Sequence, residues 1–135
     1  FVICAHKNYL KEHGTPATLA QLKDHVLIGY PDNVVVPYQN TGWLFDSADV
    51  DPAENEHVIL INSVSGIYSA VSAGAGIAVL PEYMVSRNPD LQVILPDAHP
   101  DPVDMYFVYP EERRRSKRIS LFRDFLLERV ALTDF

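Results

Sequence analysis

The block from Asn62 to Pro81 constrains the fold of this chain most strongly. An apolar strand is predicted just before it, over His57 to Ile61, and a helix of about three turns follows from Ser63 to Ala73. Two glycines end the helix, and a second apolar strand, Ile77 to Leu80, closes on a proline. This strand–helix–strand succession predicts an α/β fold with helices on the faces of a mixed or parallel sheet, in which Ile77 to Leu80 is central.

The start of the predicted helix is a candidate site for a small anion. It follows the carboxyl end of a strand, where free N–H groups and the positive end of the helix dipole favour negative charge. Asn62, Ser63 and Ser65 add polar side chains at the same turn. The alternative, which the sequence leaves open, is that Asn62 or Ser63 only caps the helix.

Two other functions for this block are disfavoured by the order of its residues. The Gly-x-Gly of Gly74 and Gly76 follows a helix, whereas the glycines of a dinucleotide fold follow a strand, so Gly74 is predicted to be a helix C-cap. A nucleophile elbow needs glycine two residues before and two residues after its serine. Around Ser65 those positions hold Ser63 and Ile67, so the motif is not present.

The remaining elements follow from hydrophobic periodicity and turn residues. Helices are predicted after an Asn8 N-cap, at a capping box over Thr18 to Gln21, over Glu82 to Ser86, and from Ser116 to about Val130. The last helix carries an apolar stripe of Ile119, Phe122, Phe125, Leu126 and Val130. Further strands are predicted over 1–5, 26–30, 43–45, 91–95 and 105–109, while 34–39 is ambiguous because Pro37 limits it to an edge or a loop.

Composition limits the class of function. A chain of 135 residues with a net charge of −7 is predicted to form one domain that does not grip nucleic acid by itself. The basic run Arg113 to Arg118 could contact DNA or another acidic surface, but a solvated loop is the favoured interpretation. Cys4 excludes an internal disulfide, fits a reducing compartment and is predicted to be an inert core thiol. No signal peptide is visible, and the five scattered histidines lack the spacing of a zinc helix motif.

Several motifs occur in a fixed order along the chain: the strand and short helix of residues 1–10, the His13-Gly-Thr-Pro16 turn, the helix ending at His25, the Trp43-Leu-Phe45 segment, the Asn62–Pro81 block, and Val108-Tyr-Pro110 with the final helix. This ordered set resembles the C-terminal effector-binding (substrate-binding) region of a LysR-type transcriptional regulator. Each motif is weak by itself, whereas the ordered set covers essentially the whole chain.

The resemblance implies a fold like that of the type 2 periplasmic binding proteins, with two α/β subdomains joined by two crossover strands. The crossovers would lie near Val2 to His6 and near Phe107 to Pro110. Residues from about 6 to 107 would form one complete regulatory subdomain. Residues 1–5 and 108–135 would be crossover strands and a C-terminal helix belonging to the other subdomain. About half of the effector region and the N-terminal winged helix-turn-helix would be absent.

The resemblance also implies a site and partners. Effector contacts would fall on Tyr30 and Pro31, on Asn62, Ser63 and Ser65, and, from the first crossover, on Ala5 and His6. DNA would be bound through the missing N-terminal domain. A homodimer or homotetramer is expected, with strand His57 to Ile61 and the following helix at the contact, and the unpaired apolar stripe of the last helix is expected to find another chain or a companion piece.

The predicted function is therefore effector sensing by a cytoplasmic transcription regulator, with a small, anionic metabolite and without a cofactor, metal or membrane contact. Two rivals share the two-lobed fold. A solute-binding protein of a transporter would carry a secretion signal, and this N-terminus does not test for one. An enzyme would need a convergent acid–base pair, and the turns near Tyr30 and Asn62 offer no paired carboxylates.

Overall fold

The computed structural model describes residues 1–32, 34, 41–104 and 106–131. These residues form two compact units, Phe1–Pro102 and Val103–Phe135. The ambiguous segment 34–39 lies outside the described residues except for Val34, whose N–H donates to the Pro31 carbonyl at 3.2 Å.

The first unit is built on a sheet of five described strands in the order β3-β2-β4-β1-β5. The strands are β1 (Val2–His6), β2 (Leu27–Gly29), β3 (Val58–Leu60), β4 (Ile77–Leu80) and β5 (Leu91–Val93). β2 runs parallel to both β3 and β4, whereas β1 is antiparallel to β4 and β5. The prediction that Ile77–Leu80 is central is confirmed, and the α/β fold class is confirmed with a mixed sheet.

Alternate residues of the strands supply two hydrophobic clusters, one on each face of the sheet. Ile3, Leu27 and Ile77 belong to the cluster covered by α1 (Lys7–His13), a 3₁₀ helix (Leu19–Asp24) and α2 (Trp43–Ala48). Their neighbours Cys4, Ile28 and Ala78 belong to the cluster covered by α3 (Val64–Ser72) and α4 (Glu82–Val85). All six side chains are at most 1% exposed, so β1, β2 and β4 are buried on both faces.

The α3 helix follows the prediction closely. Ile67 and Val71 point into the core, whereas Val64 and Tyr68 are half-buried. Gly74 has a φ of +79°, a left-handed conformation that terminates the helix and favours glycine. The C-cap residue is Ala73, so the role predicted for Gly74 is displaced by one residue: Gly74 follows the cap and ends the helix through its positive φ.

Predictions at two helix starts are wrong. The N-cap of α1 is His6, whose Nδ1 accepts a hydrogen bond from the Asn8 N–H at 3.1 Å, so Asn8 lies inside the helix. Thr18 precedes the 3₁₀ helix but makes no side-chain cap, and Gln21 Oε1 accepts from the Ala17 N–H at 2.7 Å. In a capping box, Gln21 would accept from the N–H of Thr18, and Thr18 would accept from the N–H of Gln21. Here Gln21 bonds one residue earlier, at Ala17, and the Thr18 bond is not made.

The predicted strand at Trp43–Phe45 is also wrong, because these residues begin the helix α2. Its buried residues Leu44, Phe45 and Ala48 have helical spacing, which a three-residue apolar run cannot reveal. The Phe45 ring packs on the backbone of β2 at Gly29, where an added Cβ would lie 2.6 Å from the ring. Gly29 therefore lets this helix approach the sheet closely.

The second unit contains a 3₁₀ turn, Glu111–Arg113, and the helix α5, Lys117–Ala131. The helix predicted from Ser116 is confirmed. The strand predicted over 105–109 is wrong for residues 106–109, which have no regular structure, and Met105 lies outside the described residues. Phe107 instead makes an edge-on contact with Phe122 of α5, with ring centroids 5.7 Å apart. In the described part of the chain, no helix has the length and apolar character needed to cross a bilayer.

Candidate functional site

The carboxyl ends of β2 and β3 lie side by side at one edge of the sheet. Gly29 of β2 is in register with Leu60 of β3, and the Ile61 N–H donates to the Gly29 carbonyl at 2.9 Å. Tyr30 and Pro31 therefore leave the sheet next to Asn62 and Ser63. Ser65 lies at the same edge, in the first turn of α3. Five of the seven predicted contact residues therefore share this edge, which we call the carboxyl edge. Such an edge is the usual ligand position in open α/β sheets.

Ser63 is the N-cap of α3. Its Oγ accepts a hydrogen bond from the Gly66 N–H at 3.2 Å, and its extended backbone (φ −147°, ψ 142°) is typical of that position. Gly66 is held tightly in this turn, because an added Cβ would lie 2.6 Å from Ile61 Cγ2 and 3.0 Å from Ser63 Oγ. The capping interpretation is thus correct for Ser63, and Asn62 is not the cap.

Asn62 and Ser65 keep their polar groups available. Both side chains are exposed, and neither the Asn62 amide nor the Ser65 hydroxyl bonds to a described residue. The backbone N–H groups of Val64 and Ser65 likewise find no acceptor within the described ranges. The first turn of α3 contains no acidic residue. This turn therefore presents donors and a positive dipole end to whatever occupies the carboxyl edge.

Tyr30 and Pro31 form a more apolar part of the same edge. Tyr30 is 8% exposed and belongs to the cluster with Ile28 and Ile67, so most of its ring serves the core. Pro31 is half-buried and begins a turn through its carbonyl, which accepts from Val34. The aromatic side chain of Tyr30 therefore links the core to the edge at which the polar turn of α3 begins.

Ala5 and His6 are not brought together with the other five residues. β1 runs antiparallel to β4, and Ala5 pairs with Ile77 at the start of that strand, so both residues lie at the opposite edge of the sheet. Ala5 is fully buried, and the His6 imidazole is used as the cap of α1. Their role in effector binding stays a prediction that gains no support from the geometry.

The residue of β1 that does reach the carboxyl edge is Val2, which pairs with Leu80. Val2 is not among the predicted contact residues, because a hydrophobic pattern alone does not give the direction of a strand. Val2 also lines a surface pocket of about 350 Å³ together with Glu82, Val93 and His99.

The chemistry of Cys4 is set by its burial. Burial raises the pKa of the Cys4 thiol to about 12, so the thiolate needed for a nucleophile is disfavoured. This agrees with the predicted core role of Cys4, which is fully buried in β1. In the described part of the chain, no three His, Cys, Asp or Glu side chains converge to hold a metal ion.

Comparison with known proteins decides the family. Residues 1–131 match the model of the LysR substrate binding domain. The chain belongs to the LysR substrate-binding domain family. This confirms the resemblance found in the ordered motifs, and it favours a regulator's sensing module over a transporter's solute-binding protein.

Relatives of this LysR domain are named as transcriptional regulators. The chain is 28% identical over 131 residues to the HTH-type transcriptional regulator YhjC of Escherichia coli K12, covering 93% of this chain and 42% of YhjC. It is 26% identical to the HTH-type transcriptional activator AaeR of the same organism, covering 89% and 39% respectively. The chain therefore spans about two fifths of the length of the curated relatives it matches.

Solved structures confirm the fold. The regulatory domain of CrgA, a LysR-type transcriptional regulator from Neisseria meningitidis, superposes with a TM-score of 0.68 at 22% identity, covering 95% of this chain and 63% of that domain. A structure of CrgA itself gives a TM-score of 0.66 and covers 95% and 44%. At this identity the likeness establishes the fold, and the predicted type 2 periplasmic-binding-protein-like class is confirmed.

Proposed function

We propose that this LysR domain senses a small anionic metabolite at its carboxyl edge and that the rest of a full-length regulator converts the signal into altered DNA binding. The observation that carries the proposal is the first turn of α3. Within the described ranges, the N–H groups of Val64 and Ser65 and the side chains of Asn62 and Ser65 have no hydrogen-bond partner, and they lie beside Tyr30 and Pro31. A ligand bound there would shift an equilibrium between regulator conformations by its differential affinity for them.

The domain division follows the resemblance. Residues from about 6 to 107 form the regulatory subdomain in this proposal, while 1–5 and 108–135 belong to a second subdomain. A winged helix-turn-helix elsewhere in the full-length protein binds DNA, and the regulator acts in the cytoplasm. No reaction is catalysed, which accords with relatives that are regulators and not enzymes.

A thermal-shift screen of carboxylate metabolites against the full-length protein tests the sensing role. A ligand at about a hundred times its Kd should stabilise the folded state by about 2.7 kcal/mol. Ser65→Trp should abolish this stabilisation and the transcriptional response while DNA binding remains. Ser69→Trp is the matched control, because Ser69 is also exposed on α3 but uses its hydroxyl on the Ser65 carbonyl at 2.9 Å. Equal loss in both variants, or a turnover activity lost in Ser65→Trp, would contradict the proposal.

The assembly is proposed to be a homodimer or homotetramer with β3 and α3 at the contact. β3 is an edge strand of the described sheet, and Ile59 and Leu60 are 37% and 44% exposed there. Apolar edge strands favour association with another chain. Leu60→Lys should lower the mass measured by light scattering, whereas Val108→Lys, at a residue 83% exposed in the other unit, should not. An unchanged mass for Leu60→Lys would exclude this contact.

A further inference from the structure

The second unit contains a short segment that concentrates positive charge in an acidic chain. Residues 113–118, which we call the basic turn, hold five of the eleven lysines and arginines, whereas residues 24–86 hold none. The five cationic residues are Arg113, Arg114, Arg115, Lys117 and Arg118. The chain as a whole has a net charge of −7, so this segment stands against the overall charge balance.

Backbone hydrogen bonds fold the basic turn tightly. The N–H of Arg114 donates to the Glu111 carbonyl at 2.9 Å, and the N–H of Ser116 donates to the Arg113 carbonyl at 2.8 Å. The helix α5 begins directly afterwards, at Lys117. At the rise of a 3₁₀ helix, about 2 Å per residue, the six residues advance only about 10–12 Å. The points at which the five cationic side chains are attached are therefore held close together.

None of the five cationic side chains bonds to a described residue. All five are exposed, and the salt bridge of the described part of the chain joins Arg123 to Asp124 instead. The first turn of α5 contains no acidic residue, and the nearest carboxylates in sequence, Glu111 and Glu112, number two against five cations. Within the described residues, a positive charge is thus left for a partner outside this chain.

Screening by salt lets the local charge act although the chain is acidic. At an ionic strength of about 0.15 M, charges interact over only about 8 Å, which is close to the size of the basic turn. A partner on this surface is therefore affected mainly by the turn itself. Each strand of a DNA duplex carries one phosphate per about 3.4 Å of helix axis, so the turn matches about three phosphates. Four of its five cations are arginines, whose planar guanidinium groups suit phosphate oxygens.

We propose that the basic turn contacts the phosphate backbone of DNA in the full-length regulator. This inference rests on the proposed function, in which a winged helix-turn-helix elsewhere in the protein holds the duplex. The basic turn adds contacts that strengthen binding without reading the bases. An acidic protein surface is a weaker match, because exposed pairs of side chains contribute little, whereas each phosphate contact also releases condensed counterions.

The salt dependence of DNA binding by the full-length regulator tests this inference. The probe is a fluorescently labelled duplex of about 40 base pairs with an arbitrary sequence, because phosphate contacts do not depend on sequence. Fluorescence anisotropy measures its affinity between about 50 and about 200 mM KCl. The triple variant Arg113→Gln, Arg114→Gln and Arg115→Gln should weaken binding at least about tenfold. It should also reduce the slope of log affinity against log salt by about 2–3, at about 0.9 for each lost contact.

A charge-matched variant is the control. It removes three charges from cations outside the basic turn that already contact an aromatic ring or a carboxylate, by Arg87→Gln, Arg123→Gln and Arg129→Gln. Both triple variants have the same net charge, so a difference between them reports the position of the lost charges. The control should keep the affinity and the slope of the parent, and circular dichroism reports whether each variant is folded.

Three outcomes would overturn the inference. The first is a basic-turn variant that keeps the slope of the parent, and the second is an equal change in both variants, which would indicate an effect of net charge alone. The third is an unchanged slope with a lower mass in light scattering, which would assign the turn to an acidic protein surface. In all three, a regulator that still binds DNA and responds to its effector leaves the proposed function standing, whereas a parent that binds no duplex would contradict both.

Discussion

The two compact units contain amphipathic helices that differ in burial. In the first unit, the apolar face of α3 buries Ile67 and Val71 against the sheet. In the second, α5 is more polar and its apolar stripe is less regular; none of its fifteen residues is buried, and Phe122 and Phe125 are 52% and 49% exposed. The comparison shows that periodicity predicts which face of a helix seeks burial, whereas the presence of a covering partner is a separate property of the structure.

The largest expected effect comes from the centre of the sheet. Ile77→Ala removes a fully buried side chain between β1 and β2 and should lower the free energy of unfolding by about 2–5 kcal/mol. Leu121→Ala, at a residue 63% exposed on α5, should change it by less than about 0.5 kcal/mol. Urea denaturation followed by circular dichroism measures both. Similar losses of unfolding free energy in the two variants would contradict the proposed difference between the two units.

The next effect concerns the turn that holds the candidate site. Helix propensity alone would make Gly66→Ala stabilising by about 1 kcal/mol. The contacts of the added Cβ with Ile61 and Ser63 oppose this, and we expect a net destabilisation of about 1–3 kcal/mol. Gly42→Ala is the matched control, since among the described residues its Cβ would meet only Asp46 Oδ2, at an ordinary 3.7 Å. A Gly66→Ala protein more stable than the parent would show that the turn can relax.

A smaller effect concerns the pH dependence of folding stability, to which His25 contributes. Burial and the nearby His13 lower the pKa of His25 below 6.5, while Asp24 opposes them. The neutral ring lies with Nδ1 3.3 Å from the Tyr9 hydroxyl, which itself accepts from the Val26 N–H at 2.9 Å. Because the unfolded state then binds the proton more tightly, the contribution of His25 to stability is complete above pH 6.5 and is lost as pH falls toward the folded pKa.

Melting temperatures between about pH 8 and about pH 5 test this sign. His25→Gln should reduce the fall in melting temperature as the pH is lowered, whereas His99→Gln, at an exposed histidine, should leave that fall unchanged. A parent protein whose stability rises as pH falls through this window would contradict the direction of the shift.

The smallest effect on folding is expected from the stripe of α5. Phe125→Asp should leave the unfolding free energy within about 0.5 kcal/mol of the parent value, because the side chain is half exposed. If the stripe meets another chain or a companion piece, as we predict, the same change should reduce that association strongly. Analytical ultracentrifugation with and without the missing part of the regulator measures it, and a parent chain that stays monomeric and binds no companion would refute the prediction.

The sequence predicted the α3 region almost residue by residue because several signals agreed there. A polar cap, a 3.6-residue period and a glycine at positive φ all indicate the same helix between Ser63 and Gly74. It failed at Trp43–Phe45, where three apolar residues fit either period, and at His6, whose capping imidazole is not among the usual cap residues. The contacts that the resemblance implies at Tyr30 and Asn62 lie together at the carboxyl edge, whereas the reversed direction of β1 places Ala5 and His6 at the far edge. The role of all these residues in binding stays a prediction.

That reversed direction has a consequence for the architecture of a longer chain. β1 begins at the carboxyl edge, and after β5 the chain returns there, with the Ile94 N–H donating to the Ile3 carbonyl at 2.9 Å and Pro102 lining the same pocket as Val2. The two ends of the first unit therefore lie at neighbouring points. A module with adjacent ends can be spliced into a host sequence without separating the residues on either side of it.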